Sequence, residues 1–286
     1  MKENQKRFSP RTSILPALMM LSLLQISSPS YAEPPSQSIL PKDSRVPGGI
    51  AVIPLQEASS SVKFNGKNVL KIQDNNKKHW AIIGIPLHQK TGPTQYSIDG
   101  KEAEFLVADK AYKEQYLTVK RKHSNPPEDQ IKRIQKESRL SKIAFTTFSD
   151  INQDKTYQSF LLPAKGPISS PFGLKRFFNE QARRPHSGID IAAEKGSDII
   201  APADGEVILT GDFFFNGNSI FIDHGQGLIT LYCHMDELNI AIGDNVKAGD
   251  IIGKVGSTGR ATGPHLHWTV SLNNNRIEPL LFINSQ

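Results

Sequence analysis

The sequence predicts a mostly β protein: a small N-terminal antiparallel β domain, a connecting helix, then a C-terminal antiparallel β-sheet domain. Three observations carry this expectation. Short apolar runs divided by turn signals fill residues 48–119, apolar residues recur at helical spacing within 128–148, and a second, glycine-rich series of apolar runs follows residue 160. The bulk composition agrees, since 37% hydrophobic and 22% charged residues describe a core-forming chain, and 21 Gly with 19 Pro favour strands and turns.

At the N-terminus Lys2, Lys6, Arg7 and Arg11 stand against one acid, Glu3. An apolar stretch over 14–26 follows, and then Ser30-Tyr-Ala32, a small-x-small site. That order is the layout of a secretory signal peptide cleaved after Ala32. The alternative, a retained anchor, needs ~20 apolar residues, whereas this stretch is shorter and is broken by Pro16, Ser22 and Gln25. The expected organisation is a signal peptide over 1–32, a Pro/Ser-rich linker over 33–45, the N-terminal β domain over 46–125, helix and linker over 126–159, and the C-terminal domain over 160–286. No transmembrane segment is expected in the mature chain. Removing four basic residues and one acid with the signal takes the formal charge from +6 to +3. A mildly basic chain suits an anionic polymer without establishing one. No basic patch interleaved with aromatics argues for nucleic acid.

In the N-terminal part, strand candidates lie at 49–53, 61–64, 69–72, 79–83, 95–98, 104–107 and 115–119. Asn65-Gly66 and Asp99-Gly100 are hairpin dipeptides between them. Short strands with regular turns predict a small antiparallel sandwich. His79, His88 and His123 are isolated and share no ligand spacing. After Pro126-Pro127, residues Ile131, Ile134, Leu140 and Ile143 predict a helix with an apolar stripe, followed by a polar stretch over 149–159. The C-terminal strand candidates are 207–210, 219–223, 228–232, 251–255 and 267–271, with turns at 225–227, 243–245 and 273–275. Cys233, the single cysteine, falls in an apolar run and reads as a small buried hydrophobe. Without a disulfide, an exported chain must rely on its core or on a bound metal.

The chemistry lies in the last third. His186-Ser-Gly-Ile-Asp190 places an imidazole and a carboxylate on one face of an extended segment, with Gly188 between them leaving room for an ion. His265-Leu-His267 puts two imidazoles on one face while Leu266 points into the core. His234 is offset by one residue from Cys233, so the thiol is expected to point away from any site His234 lines. Two imidazoles, one carboxylate and an open fourth position are the usual composition of a catalytic zinc site. The helical His-Glu-x-x-His motif is absent, so strands and loops must present such a site.

From about residue 162 onward the sequence resembles the lysostaphin/LytM-type zinc endopeptidases, which hydrolyse peptidoglycan peptides. The likeness runs through Ile168-Ser-Ser-Pro-Phe-Gly173, His186-Ser-Gly-Ile-Asp190, Ala201-Pro-Ala-Asp-Gly205, Asp223-His-Gly-Gln-Gly227, Tyr232-Cys-His234, Gly243-Asp-Asn-Val-Lys-Ala-Gly249 and Gly256-Ser-Thr-Gly-Arg-Ala-Thr-Gly-Pro-His-Leu-His267. It implies an antiparallel sheet flanked by groove-forming loops. It implies Zn2+ held by His186, Asp190 and His267, with His234 and His265 as unliganded catalytic histidines. It also implies peptidoglycan stem peptides as the substrate; protein partners are not legible. Cys233 stands where the family usually has an alanine-like residue. Together with the N-terminal β domain this looks like the Gram-negative variants, which implies a periplasmic rather than extracellular enzyme and a bond to meso-diaminopimelate.

Two rival readings differ in class. Some relatives have lost ligands and regulate wall amidases without catalysis, but all five expected site residues are present here. A general secreted metallopeptidase would differ only in substrate. His224 fits the family's structural hairpin and is not expected to bind metal. Lys175, Arg176, Arg183 and Arg184 could meet stem-peptide carboxylates or form an ordinary solvated loop. Phe213-Phe-Phe215 could line the groove wall, with a core cluster as the default.

Overall fold

The computed structural model describes residues 40–118, 126–151 and 157–283. The expected signal peptide, most of the expected linker, His123, the last residue of the 115–119 run and part of the polar stretch lie outside the described residues. Every described residue belongs to one compact unit. Among the described residues no helix is long and apolar enough to cross a membrane.

Eight strands come first: β1 (Ile50–Leu55), β2 (Val62–Phe64), β3 (Lys67–Asn68), β4 (Leu70–Gln73), β5 (His79–Gly84), β6 (Gly92–Ile98), β7 (Lys101–Val107) and β8 (Glu114–Leu117). They build a three-stranded sheet β1-β5-β4 and a four-stranded sheet β3-β2-β6-β7. Both expected hairpin dipeptides adopt positive φ at each residue, 49° and 73° at Asn65-Gly66 and 50° and 77° at Asp99-Gly100. Ala51, Ile53 and Ile83 pack against Val62, Phe64, Phe105 and Val107 between the two sheets. Their neighbours Ile50, Val52 and Ile82 face the other way, into the core of the C-terminal part. The sheet β1-β5-β4 is therefore a middle layer, which explains an apolar run without polar alternation.

Strand β8 departs from the sandwich expected for it. It pairs in parallel with a strand of the C-terminal part, with Lys175 opposite Glu114 and Phe177 opposite Tyr116. The Tyr116 and Phe177 rings stack at 4.5 Å, and Lys175 meets Glu114 at 3.4 Å.

The helix α1 (Ile131–Thr146) forms where its spacing predicts, but the expected apolar stripe is not its docking face. Ile131, Leu140 and Ile143 are 40%, 37% and 66% exposed. Ala144 and Phe145, in the last turn, are buried instead, and Phe145 meets Phe221 edge-on at 5.1 Å. Charged residues complete the attachment. Arg133 donates to the Asp212 carbonyl at 2.9 Å, and Glu137 accepts from the Phe214 N–H at 2.8 Å. An aromatic anchor and two polar clamps fix the helix, so three of the four stripe residues face solvent.

The C-terminal strands are β9 (Ile168–Ser170), β10 (Lys175–Phe178), β11 (Gln181–Ala182), β12 (Ile189–Ala192), β13 (Asp198–Ile200), β14 (Gly205–Phe213), β15 (Gly217–Asp223), β16 (Leu228–Leu238), β17 (Asn245–Val246), β18 (Ile251–Val255), β19 (His265–Leu272) and β20 (Asn275–Ile277). The main path is antiparallel, β17-β14-β15-β16-β19-β12-β9. One face carries Ile189, Ile191, Ile220, Tyr232, Trp268 and Val270 into the shared core with β1, β4 and β5. The other face carries Phe221, Ile229, Leu231 and Cys233 beneath α1. Gln226 joins the two parts, since its side-chain amide accepts from Lys71 N–H at 3.1 Å and donates to the Lys71 carbonyl at 2.9 Å.

Candidate metal centre

The centre is built by strand register. Asp190 on β12 lies directly opposite His267 on β19, which sets carboxylate and imidazole side by side on the α1 face. His186, just before β12, is pinned by backbone bonds. Its N–H donates to the Leu174 carbonyl at 3.0 Å, and its carbonyl accepts from Gly173 N–H at 2.8 Å. The three donors then converge: His186 Nε2 to Asp190 Oδ1 3.0 Å, His186 Nε2 to His267 Nδ1 3.0 Å, and His267 Nδ1 to Asp190 Oδ1 2.8 Å. Among the described residues this is the group of His, Cys, Asp or Glu side chains able to hold an ion.

Tautomers sharpen the fit. His186 Nδ1 lies 2.9 Å from the Pro171 carbonyl, which can only accept, so Nδ1 carries the proton and Nε2 presents a lone pair. His267 Nε2 bonds Thr269 Oγ at 2.9 Å, which suits a lone pair on Nδ1. Two nitrogens and a carboxylate facing one another within 3 Å need a proton or a cation between them, and a cation satisfies all three at once. A tetrahedral site with bonds of about 2 Å sets its ligand atoms about 3.3 Å apart, so the donor set fits a zinc-sized ion with a small outward adjustment.

His234 and His265 flank this group. Their rings are 4.8 Å apart, and His265 Nε2 lies 4.0 Å from Asp190 Oδ1. His234 Nδ1 donates to the Thr258 carbonyl at 2.9 Å and His265 Nδ1 to the Gly263 carbonyl at 2.8 Å. Both rings are therefore anchored through Nδ1–H, with Nε2 on the far edge of each. His234 sits at φ 63° with its N–H donating to the Asn216 carbonyl at 2.7 Å, and the β15 pairing slips here.

That kink corrects the expectation for Cys233. The register sets Cys233 opposite His267, so the thiol lies on the same face as the donor group. Simple alternation fails because the left-handed residue at His234 interrupts it. The thiol is buried among Phe221, Leu231 and Phe145, and burial pushes its pKa up, which leaves it inert.

Burial raises the Asp190 pKa, but where the facing nitrogens of His186 and His267 carry protons in place of a cation, their hydrogen bonds more than reverse this and hold it far below the carboxylate range. Burial lowers the pKa of His267, and lowers that of His234 to about 4 against the opposing bond to Thr258. Arg176 is a contact that sequence reasoning did not separate from an ordinary loop. Its guanidinium donates to Ser170 Oγ at 2.8 Å and stands 3.8 Å from Asp190 Oδ2. Nothing in the spacing marked it, because β8 is what holds its strand in place.

The remaining candidates are apart from the donor group. His79 and His88 belong to the N-terminal part. His224 is buried on the opposite face, donating to the Asp204 carbonyl at 2.8 Å and bonding Thr230 Oγ at 2.8 Å, and burial lowers its pKa to about 4. Phe213 is in the core, whereas Phe215 is 39% exposed with the Arg260 guanidinium 5.3 Å from its ring centre. The three phenylalanines thus divide between core and rim.

Two family models match the chain: Peptidase family M23 over residues 184–279 and Peptidase family M23 N-terminal domain over residues 43–110. A crystal structure of an M23 peptidase from Pseudomonas aeruginosa superimposes with a TM-score of 0.69 at 37% identity, covering 84% of this chain and 96% of that one. The DD-carboxypeptidase/endopeptidase Mpg of Neisseria meningitidis is 43% identical over 113 residues, 40% of this chain and 26% of Mpg. The peptidoglycan DD-endopeptidase ShyA of Vibrio cholerae is 32% identical over 127 residues, 44% of this chain and 30% of ShyA. The chain thus spans less than a third of the length of these two curated relatives.

Proposed function

Since this chain belongs to peptidase family M23, we propose that it is an exported, zinc-dependent endopeptidase that hydrolyses the peptide cross-links of peptidoglycan in the periplasm. The observation that carries the reading is the convergence of His186, Asp190 and His267 beside two further imidazoles, His234 and His265. In this reading His186, Asp190 and His267 hold zinc, which when bound supplies Lewis acidity to a scissile carbonyl and lowers the pKa of water to about 7.

The chain's own residues do the rest. His234 and His265, anchored through Nδ1–H beside the donor group, are suited to accept a proton from the attacking water and return it to the leaving amine. Their Nδ1–H bonds to backbone carbonyls fix each ring and stabilise the imidazolium that forms. Arg176 steadies the far oxygen of Asp190. The substrate follows from Mpg and ShyA, whose names describe peptidoglycan or D,D-bond hydrolysis. Export follows from the basic, apolar and small-residue order of the first 32 residues. A non-enzymatic regulator would not need an intact donor group, and this one has all five residues.

The test is mass spectrometry of cross-linked peptidoglycan after incubation with the mature chain. Loss of cross-linked dimers and gain of monomeric stem peptides, stopped by a chelator and restored by zinc, is the expected result. Intact dimers in the presence of zinc-loaded protein would overturn the reading.

A further inference from the structure

A cavity of about 820 Å³ lies between α1 and the sheet face that carries the metal centre. Five cations line it, Lys142, Arg183, Arg184, Arg260 and Arg276, against one acid, Glu137. Glu137 is already engaged by Arg133 at 2.6 Å and by the Phe214 N–H. No carboxylate lies within ion-pair distance of Lys142, Arg184, Arg260 or Arg276 among the described residues. Arg276 is the most telling of these. Its guanidinium lies 3.4 Å over the Phe145 ring and donates to the Asn274 carbonyl at 3.0 Å, with burial lowering its pKa to about 10. A partly buried guanidinium beside neutral partners alone carries a desolvation cost, and an anion entering the cleft would offset it.

The cleft is lined by none of the five site residues but touches their supports: Asn216, in its lining, accepts the His234 N–H at 2.7 Å. Arg184 is two residues before His186. Arg260 is two residues after Thr258, whose carbonyl orients His234, and the Arg260 N–H donates to the Phe215 carbonyl at 2.9 Å. The second wall is α1, a part of the chain outside both matched family regions. Guanidinium forks match carboxylates in pairs, and aromatic neighbours suit short aliphatic side chains between them.

We infer that this cleft is a substrate subsite that selects peptides carrying free carboxylates next to the bond to be cut, with Arg184 and Arg260 as the specificity-determining residues and α1 as its outer wall. The inference rests on the peptidase reading for its substrate but is separable from it by experiment. The probe is a fluorophore-labelled cross-linked stem-peptide dimer with free carboxylates, compared with the same dimer amidated at those positions. Anisotropy is measured with the full mature chain in chelator, so that binding is read without turnover. The free-acid dimer is expected to bind at least tenfold more tightly. Selectivity should fall to within twofold in Arg184→Gln/Arg260→Gln, return in part in Arg184→Lys/Arg260→Lys, and persist in Lys136→Gln, which is outside the cleft. Equal affinity for the two dimers, or undiminished selectivity in the double Gln variant, would overturn the inference. With zinc restored, cleavage of both dimers at equal kcat/KM would remove the subsite and leave the peptidase. Selective binding without cleavage would keep the subsite and remove the peptidase.

Discussion

Each of the five site residues is held by a bond that fixes its chemistry, so removing them should fail in different ways. Asp190→Ala or His267→Ala opens the donor group and should abolish both zinc retention, read by elemental analysis, and turnover. His265→Ala leaves the three donors intact; it should keep one zinc per chain while kcat falls on the order of 100-fold or more. Full activity in zinc-free Asp190→Ala would sink the metal mechanism. His224 answers to a different force. Burial holds its pKa at about 4 against an ordinary value near 6.5, so the unfolded chain binds the proton more readily. That contribution to stability is fully present above pH 6.5 and is lost as pH falls towards 4, amounting to roughly 3 kcal/mol over the window. Urea midpoints of the native chain should therefore drop between pH 7 and pH 4.5, and His224→Gln should flatten the drop. An unchanged slope in that variant would assign the acid sensitivity to other groups.

At the scale of elements, the centre depends on how closely β12 approaches β19. A Cβ built on Gly188 would come within 2.3 Å of the Trp268 carbonyl oxygen, a backbone atom that cannot move aside alone. Gly188→Ala should part the two strands, separate Asp190 from His267, and weaken zinc affinity at least tenfold together with a lowered Tm. Wild-type zinc affinity in that variant would mean the sheet absorbs the methyl group elsewhere. The same strands show what the sequence discloses. The pairings of His186 with Asp190 and of His265 with His267 were legible because i,i+4 and i,i+2 spacings on extended chain are local rules, while the choice of His267 rather than His265 as the third donor came from the family resemblance; Asn65-Gly66 and Asp99-Gly100 were legible because a turn is local. The kink at His234 was not, because its left-handed φ comes from pairing with Asn216, and it reversed the expected direction of Cys233. The parallel union of β8 with β10 joins segments about sixty residues apart, and no short-range pattern announces it. Nor does helical periodicity reveal that α1 docks by Phe145 and Glu137 rather than by its isoleucines.

For the molecule as a whole, the question is whether the N-terminal β domain is a detachable regulator of the centre or part of the same folding unit. It packs on the sheet face opposite His267, so that contact does not cover the centre. The largest core runs through both parts: Ile50, Val52, Leu70, Ile72 and Ile82 share it with Trp268, Val270, Leu272 and Ile277. Burying a side chain of this kind contributes about 1.5–3 kcal/mol, so five from one side make an interface comparable with the net stability of an ordinary domain. Hydrogen bonds between Gln226 and Lys71, and the β8–β10 pairing, add directional ties that a sliding contact would lack. Calorimetry of the chain should therefore show one cooperative transition, with its van't Hoff and calorimetric enthalpies in agreement. A chain starting at Phe160 would expose the apolar surface beneath Trp268 and Val270, and should aggregate or melt at least 10 °C lower. Two resolved transitions in the chain, or a Phe160 start as stable as the whole, would instead make the N-terminal part an independent module. Its role would then have to be sought in partners rather than in support of the catalytic sheet.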